Sequence, residues 1–232
     1  MNEDKAALQN FEGIARLFPL PNLVFFPHAM QPLHIFETRY RQLTADALAG
    51  DRLIALVLLQ EGWEKNYDQA PAIHPIACLG RIVADQQMPD GRYNLLLRGL
   101  SRIRIIEELP DPELAYRRGR VELVADRCDA ELDEVMRLRQ LMRERILPRF
   151  GDGQIAKQIE ELFHSELSLG ALCDVLSFAL PMPTAWKQKM LEETNEPSRA
   201  AMLLEGFSQI SPTQTGVALN PNRKFPPDFS SN

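Results

Sequence analysis

The chain has 232 residues, of which 45% are hydrophobic and 25% charged, and its formal net charge is -6. This length is enough for one large core or two small ones, and the acidic balance argues against a general binder of nucleic-acid backbones. The longest apolar run, Leu53–Leu59, is too short to cross a bilayer, so we expect a cytoplasmic protein without membrane contact.

The first informative segment, residues 17–37, is apolar and contains four prolines. Proline cannot donate a hydrogen bond to a neighbouring strand, so this segment cannot be a central strand of a regular sheet. The pattern predicts two extended pieces, Arg16–Leu20 and Gln31–Phe36, joined by an apolar loop. A helix over Thr38–Ala49 follows, because its apolar residues repeat on one helical face. Leu53–Leu59 then reads as a strand that is buried on both faces.

The next segments are typical of strands. Ile76–Gln87 leads into a Pro-Asp-Gly turn, and Tyr93–Leu97 returns as the second strand of a hairpin. In Ser101–Glu107, arginine alternates with isoleucine, which predicts a half-buried strand with its arginines facing water. Tyr116–Ala125 alternates again. The first half of the chain is therefore predicted to be a closed or nearly closed β structure with one inserted helix.

The pattern changes to helical near Asp126. Five helices are predicted, and the first, Glu131–Leu147, should bury one face. That face comprises Leu132, Val135, Met136, Met142 and Ile146. Residues 211–232 contain four prolines and little periodicity, so we interpret them as a tail.

Short motifs between Leu17 and Arg104, in order and at compatible spacing, resemble the N-terminal domain of Lon proteases. The motifs are Phe26-Pro27-His28-Ala29-Met30, Pro32-Leu33-His34-Ile35-Phe36-Glu37, Cys78-Leu79-Gly80-Arg81-Ile82, Pro89-Asp90-Gly91 and Gly99-Leu100-Ser101-Arg102. His28 and Ala29 stand where many members carry residues of the Gly-Met type, so we expect a different turn there.

The resemblance implies an α+β fold, with a PUA-like β pseudo-barrel that contains an inserted helix and is followed by a C-terminal helical bundle. We expect a barrel subdomain over residues 1–125, a bundle over 126–210 and the Pro-rich tail over 211–232. It further implies a stand-alone recognition domain without the ATPase and protease parts of Lon, since no Gly-x-x-x-x-Gly-Lys-Ser/Thr motif occurs. The expected partners are proteins or unfolded peptide segments, and the oligomeric state stays open.

Catalytic and metal-binding chemistry find little support in the sequence. His28, His34 and Glu37 are close enough for a metal set, but strand alternation points His34 and Glu37 to opposite faces. The three cysteines, Cys78, Cys128 and Cys173, are widely spaced and predict buried reduced thiols. We therefore expect no enzyme activity, no cofactor and no metal.

Two kinds of binding surface are left. The first is an apolar site that captures polypeptide segments with aromatic and methionine side chains, namely Phe25, Phe26, Met30, Trp63 and Tyr67. Its alternative is that Phe25 and Phe26 simply fill one end of the barrel. The second kind is an RNA-binding surface, as in other PUA-like proteins, formed by arginines that cluster across adjacent strands. These arginines are Arg102, Arg104, Arg117, Arg118 and Arg120. A peptide pairing with an open strand edge is a further possibility.

Overall fold

The computed structural model describes residues 3–65 and 70–210, and the chain divides into two compact units after Val124. We call them the barrel unit and the helical unit. The barrel unit contains helices α1 (Glu3–Gln9) and α2 (Thr38–Ala49) and six strands. The strands are β1 (Ile14–Leu20), β2 (Met30–Ile35), β3 (Leu53–Leu58), β4 (Ile76–Gln87), β5 (Tyr93–Glu108) and β6 (Arg117–Val124). The predicted tail lies outside the described residues.

Five of these strands close into a barrel. β1 pairs with β3 in parallel, and the antiparallel pairs β3–β4, β4–β5, β5–β6 and β6–β1 complete the circle. β2 lies outside this circle and pairs with the first half of β5. The predicted barrel with one inserted helix is therefore confirmed.

The barrel core explains the apolar run of β3, whose six residues are all buried. Leu53, Ala55 and Val57 face the inner cluster, which also contains Ala15, Leu17, Ala77, Leu79, Ile103 and Val121. The helix α2 packs against β1, where the rings of Tyr40 and Phe18 lie 4.1 Å apart. A strand buried on both faces reads as a continuous hydrophobic run.

The strand β5 differs from the sequence-based expectation in two ways. It is one continuous strand of 16 residues that passes through Gly99, where two separate strands were predicted. The prediction of a water-facing Arg102 is wrong, because this side chain is only 2% exposed. Its cross-strand partner Cys78 and its neighbour Ile103 are also buried, so both faces of the strand are covered at this point.

The described part of the helical unit, residues 125–210, contains five α-helices, as predicted. They are α3 (Leu132–Ile146), α4 (Gln154–His164), α5 (Leu169–Ala179), α6 (Thr184–Glu192) and α7 (Glu196–Ser208). Ser168 and Asn195 cap α5 and α7, accepting hydrogen bonds from the backbone of Ala171 and Ser198. Arg199 is fully buried and forms ion pairs with Asp174 at 2.6 Å and with Asp126 at 2.8 Å.

The predicted buried face of α3 is only half correct. Met142 and Ile146 are buried, but Leu132 and Met136 are 71% and 59% exposed. Arg139 donates hydrogen bonds to the last carbonyls of α4, those of Leu162 and Phe163 among them, so α4 ends beside the middle of α3. The first half of α3 therefore extends past the end of α4.

Candidate functional site

Two of the predicted binding residues belong to the core. Phe25 is 1% exposed and Phe26 is fully buried. A Cβ atom at Gly80 would lie 2.8 Å from the Phe25 ring, and one at Gly99 would lie 2.0 Å from the Phe26 carbonyl oxygen. The two glycines therefore make room for this loop on the sheet. Phe25 and Phe26 are therefore buried and unavailable to a partner, but neither belongs to the inner cluster of the barrel, which contains Leu79 next to Gly80.

The turn after Phe26 is held by backbone hydrogen bonds to β5. The amide of His28 donates to the carbonyl of Gly99, and the amide of Gly99 donates to the carbonyl of Ala29, both at 2.9 Å. His28 has a φ of 65°, a conformation that favours glycine. His28 therefore has a side chain at a position with left-handed backbone conformation, where many members carry residues of the Gly-Met type.

Met30 and Trp63 are not brought together. Met30 of β2 is opposite Arg98 of β5, and Arg98 is opposite Arg81 of β4. Arg81 is in turn opposite Leu53, so Met30 lies at the level of the start of β3. Trp63 begins a short 3-10 turn beyond the other end of β3. The six residues of β3 span roughly 20 Å, so the start of β3, beside Met30, and the end of β3, before Trp63, lie about that far apart. Met30 is 37% exposed and Trp63 is partly exposed, whereas Tyr67 lies outside the described residues.

The outer edge of β2 is poorly suited to pairing with a peptide. Pro32 lies within β2 and has no amide hydrogen, and its carbonyl accepts a hydrogen bond of 2.6 Å from the side chain of Gln31. Proline and blocked carbonyls are common protections of exposed strand edges. The side-chain surfaces of the barrel are therefore better suited to binding a peptide than this edge.

Met30 borders a surface that α1 covers. Arg98 and Arg81 are cross-strand neighbours in β5 and β4, and both form ion pairs with Asp4 of α1, at 3.2 Å and 3.0 Å. Arg81 also contacts Glu3 at 2.9 Å. Ala7, Leu8 and Phe11 pack against the inner cluster of the barrel. The sequence-based reading did not predict α1.

A second surface is a small cleft beside the start of α2, with a cavity volume of about 80 Å³, that opens to solvent. Its walls combine aromatic, proline and aliphatic side chains with two arginines. The lining residues are Pro19, Arg39, Tyr40, Leu59, Ala70, Pro71, Ala115, Tyr116 and Arg117. Leu59 and Pro71 precede and follow the loop that carries Trp63, but Trp63 itself does not line the cleft.

The polar groups of the cleft are engaged by neighbouring residues. Arg117 donates to both carboxylate oxygens of Glu108, at 2.6 and 2.5 Å, and to the carbonyl of Pro71 at 2.8 Å. Arg39 pairs with Glu37 at 2.8 Å. The hydroxyl of Tyr116 donates to Asp46 at 2.9 Å, and burial, with this hydrogen bond, raises the pKa of the phenol. The groups left for a ligand are therefore mainly apolar faces.

The residues weighed for other chemistry have ordinary roles. His34 forms a hydrogen bond with Asn94 at 2.8 Å, and His164 pairs with Glu160 at 2.9 Å. Among residues 3–65 and 70–210, no group of three or more His, Cys, Asp or Glu side chains is arranged to hold a metal ion. Cys78 and Cys173 are buried, but Cys128 is exposed, so the prediction of a buried thiol is wrong there. Cys128 lies between β6 and α3, outside any periodic segment, so the sequence pattern does not indicate whether it is buried.

The arginines proposed for RNA binding are largely paired with acids. Arg117 contacts Glu108, Arg118 contacts Asp111 at 2.6 Å, and Arg120 contacts Glu107 at 2.8 Å. Across β5 and β6 the surface therefore alternates in charge. Within the described parts of the chain, no helix is long and apolar enough to cross a membrane.

The cleft residues are not identifiable from the sequence, because Pro19 of β1, Tyr40 of α2 and Tyr116, just before β6, come from three separate segments. Each belongs to a segment whose pattern indicates core. The acidic start of α1 was a usable signal, since Glu3 and Asp4 precede Ala7, Leu8 and Phe11 at helical spacing. The ion pairs to Arg81 and Arg98 require tertiary structure to be seen.

Solved structures share this fold. A Lon N-terminal domain protein from Xanthomonas campestris is 23% identical with a TM-score of 0.59, and the match covers 83% of this chain and 97% of that chain. The N-terminal domain of the Mycobacterium avium complex Lon protease is 16% identical with a TM-score of 0.67, covering 85% of this chain and all of the other. At these identities the likeness establishes the α+β fold alone.

Sequence relatives agree with this fold. Lon protease 2 of Myxococcus xanthus is 29% identical over 203 residues, which cover 85% of this chain and 24% of the relative. The Lon protease of Dictyoglomus thermophilum is 28% identical over 194 residues, covering 79% of this chain and 23% of the relative. The chain thus spans about a quarter of the length of these relatives. A family model described as the substrate-binding domain of the ATP-dependent protease La (LON) matches residues 14–207. The motifs, the barrel and this match agree, and the chain belongs to the LON substrate-binding domain family.

Proposed function

We propose that this protein recognises polypeptide substrates by capturing apolar side chains of unfolded segments in the cleft beside α2. Membership of a substrate-binding family supports polypeptide recognition in general. The proposal adds the site and the chemical class of the captured segment. It also assigns no catalytic step to the chain, because the mechanism that we infer needs only binding.

The observation that carries this proposal is the pairing of the cleft's polar groups. Arg39, Arg117 and Tyr116 are joined to Glu37, Glu108 and Asp46. An anionic or strongly polar ligand would have to break these contacts, and a charge left without its partner is costly. An apolar side chain can instead cover Pro19, Leu59 and the ring faces without displacing them.

The expected affinity for each captured residue is low. Full burial of one large apolar side chain contributes about 1.5–3 kcal/mol, and ordering the peptide opposes part of this gain. A single cleft should therefore bind weakly and tolerate many sequences. Such behaviour suits a module that samples unfolded chains, where several apolar segments on one substrate raise the effective concentration.

The test is to block the mouth of the cleft. Ala115 is exposed at this mouth, and Ala115→Phe would fill it without changing the buried walls. The probe is fluorescein-labelled, reduced and carboxymethylated α-lactalbumin, which stays unfolded, and binding is followed by fluorescence anisotropy. We expect the blocked variant to bind at least about fivefold more weakly than the wild type, since the main apolar contact is lost.

Ala201→Phe is the matched control, because Ala201 is an exposed helical alanine in the helical unit. It adds the same ring far from the cleft in sequence and should leave binding unchanged. Equal binding by wild type and Ala115→Phe, or no measurable binding by the wild type, would refute the proposed site.

A further inference from the structure

The helix α1 occupies the barrel surface without becoming part of its core. None of its seven residues, all within the described chain, is buried. Its contacts are the packing of Ala7 and Leu8, followed by Phe11, against the inner cluster and the ion pairs of Glu3 and Asp4. A helix this short is not stable by itself in water, so these contacts hold it in place.

The surface beneath α1 selects for acidic segments. Arg81 and Arg98 lie directly opposite each other on neighbouring strands, where two like charges destabilise a sheet. The carboxylate of Asp4 bridges them, with its side chain 17% exposed and that of Arg81 16% exposed. An occupant of this surface must therefore supply a carboxylate between the two guanidinium groups.

The same surface also requires apolar side chains at defined positions. Ala7 and Leu8 follow Asp4 by three and four residues, which places them beside it on one helical face. Met30 pairs with Arg98 and is 37% exposed, so apolar surface continues past the guanidinium groups. Carboxylates one turn before apolar residues define an acidic amphipathic segment.

The attachment of α1 is suited to exchange. Glu3 and Arg98 have 78% and 46% exposed side chains, and ion pairs with exposed partners contribute little to stability, so the shielded Asp4–Arg81 pair is the main charged contact that a competing segment must replace. Gly13 follows α1 with a φ of 80°, and this residue precedes the start of the segment matched by the family model at residue 14. The helix α1 therefore lies outside the segment that the family model matches.

We propose that α1 is a built-in occupant of a docking surface for acidic amphipathic polypeptide segments of partner proteins, and that it regulates access to this surface by competition. The inference rests on the polypeptide recognition proposed above but uses a different surface from the cleft. Because α1 is tethered, its effective concentration is high, and a partner segment must bind strongly or the α1 contacts must be weakened.

The experiment uses the full chain and a fluorescein-labelled peptide with the sequence of residues 1–13. The double variant Glu3→Ala, Asp4→Ala weakens the attachment of α1 and should bind the peptide at least about tenfold more tightly than the wild type. Adding Arg81→Gln and Arg98→Gln to this variant should abolish the gain. A peptide carrying Glu3→Lys and Asp4→Lys is the matched control and should not bind.

Equal binding by wild type and double variant, binding that survives the loss of both arginines, or no binding to any form would each overturn the proposal. The Ala115→Phe variant separates the two proposals. In the Glu3→Ala, Asp4→Ala background it should keep peptide binding unchanged while losing the unfolded lactalbumin. Loss of one activity without the other then identifies which surface has failed.

Discussion

At the scale of single residues, two glycines allow the apolar loop between β1 and β2 to pack closely on the sheet. The Phe25 ring lies over Gly80 and the Phe26 carbonyl lies over Gly99, at distances that leave no room for a side chain. These glycines therefore allow the loop to pack closely on the sheet, where Phe25 and Phe26 are buried and are not exposed binding groups.

Gly99→Ala should destabilise the barrel unit by roughly 2–3 kcal/mol, because the new Cβ would lie 2.0 Å from a backbone oxygen that cannot rotate away. The measurement is urea unfolding followed by the fluorescence of Trp63 in a Trp186→Phe background, so that the signal comes from the barrel unit alone. A change below about 0.5 kcal/mol would contradict a close approach that constrains the loop.

Gly153→Ala serves as the control for this substitution. Gly153 has a φ of -77° and no neighbouring atom within 4 Å of the added Cβ. Its loss as a helix cap and the lower flexibility of the unfolded chain oppose each other, so the net change should be small.

At the scale of elements, the helical unit is held by arginines as much as by apolar packing. Arg139 of α3 donates to the carbonyls of Phe163 and Leu162 at the end of α4, where the intrahelical hydrogen bonds run out. Arg199 of α7 is fully buried between Asp174 of α5 and Asp126. Each contact joins segments that are distant in sequence, so these arginines determine which helices meet.

Asp174→Asn should destabilise the helical unit by about 3 kcal/mol, since it leaves a buried guanidinium with only one carboxylate partner. Urea unfolding is followed here by the fluorescence of Trp186 in a Trp63→Phe background. Glu134→Gln in α3 is the control in the same unit, because its ion pair with Arg137 has side chains 51% and 78% exposed, and its loss should cost less than about 1 kcal/mol. Similar costs for the two substitutions would show that burial of the Arg199 pair has no special effect.

At the scale of the whole molecule, the sequence was sufficient for the fold but only partly for the site. Periodicity and proline positions predicted the strands, the inserted helix and the five later helices, because each is a local signal. Phe25, Arg102 and Met136 were assigned the wrong environment, since burial depends on what lies opposite a residue in the folded chain. Met30 and Trp63 come from different segments of the sequence, and the strand pairing, which local patterns do not report, places Met30 level with the start of β3, whereas Trp63 follows its end.

The distribution of charge over the molecule predicts that it binds an unfolded protein in preference to RNA. With a net charge of -6 and with Arg117, Arg118 and Arg120 paired to acids, the barrel presents few cations to a phosphate backbone. We expect no measurable binding of single-stranded polyuridine at 150 mM salt, where the unfolded lactalbumin probe still binds through apolar contacts that depend little on salt. Both affinities are measured by anisotropy at 50 and 200 mM salt. Polyuridine binding that weakens a hundredfold or more over this range would instead mean that several of these arginines exchange their carboxylates for phosphates, which would favour an RNA-binding function.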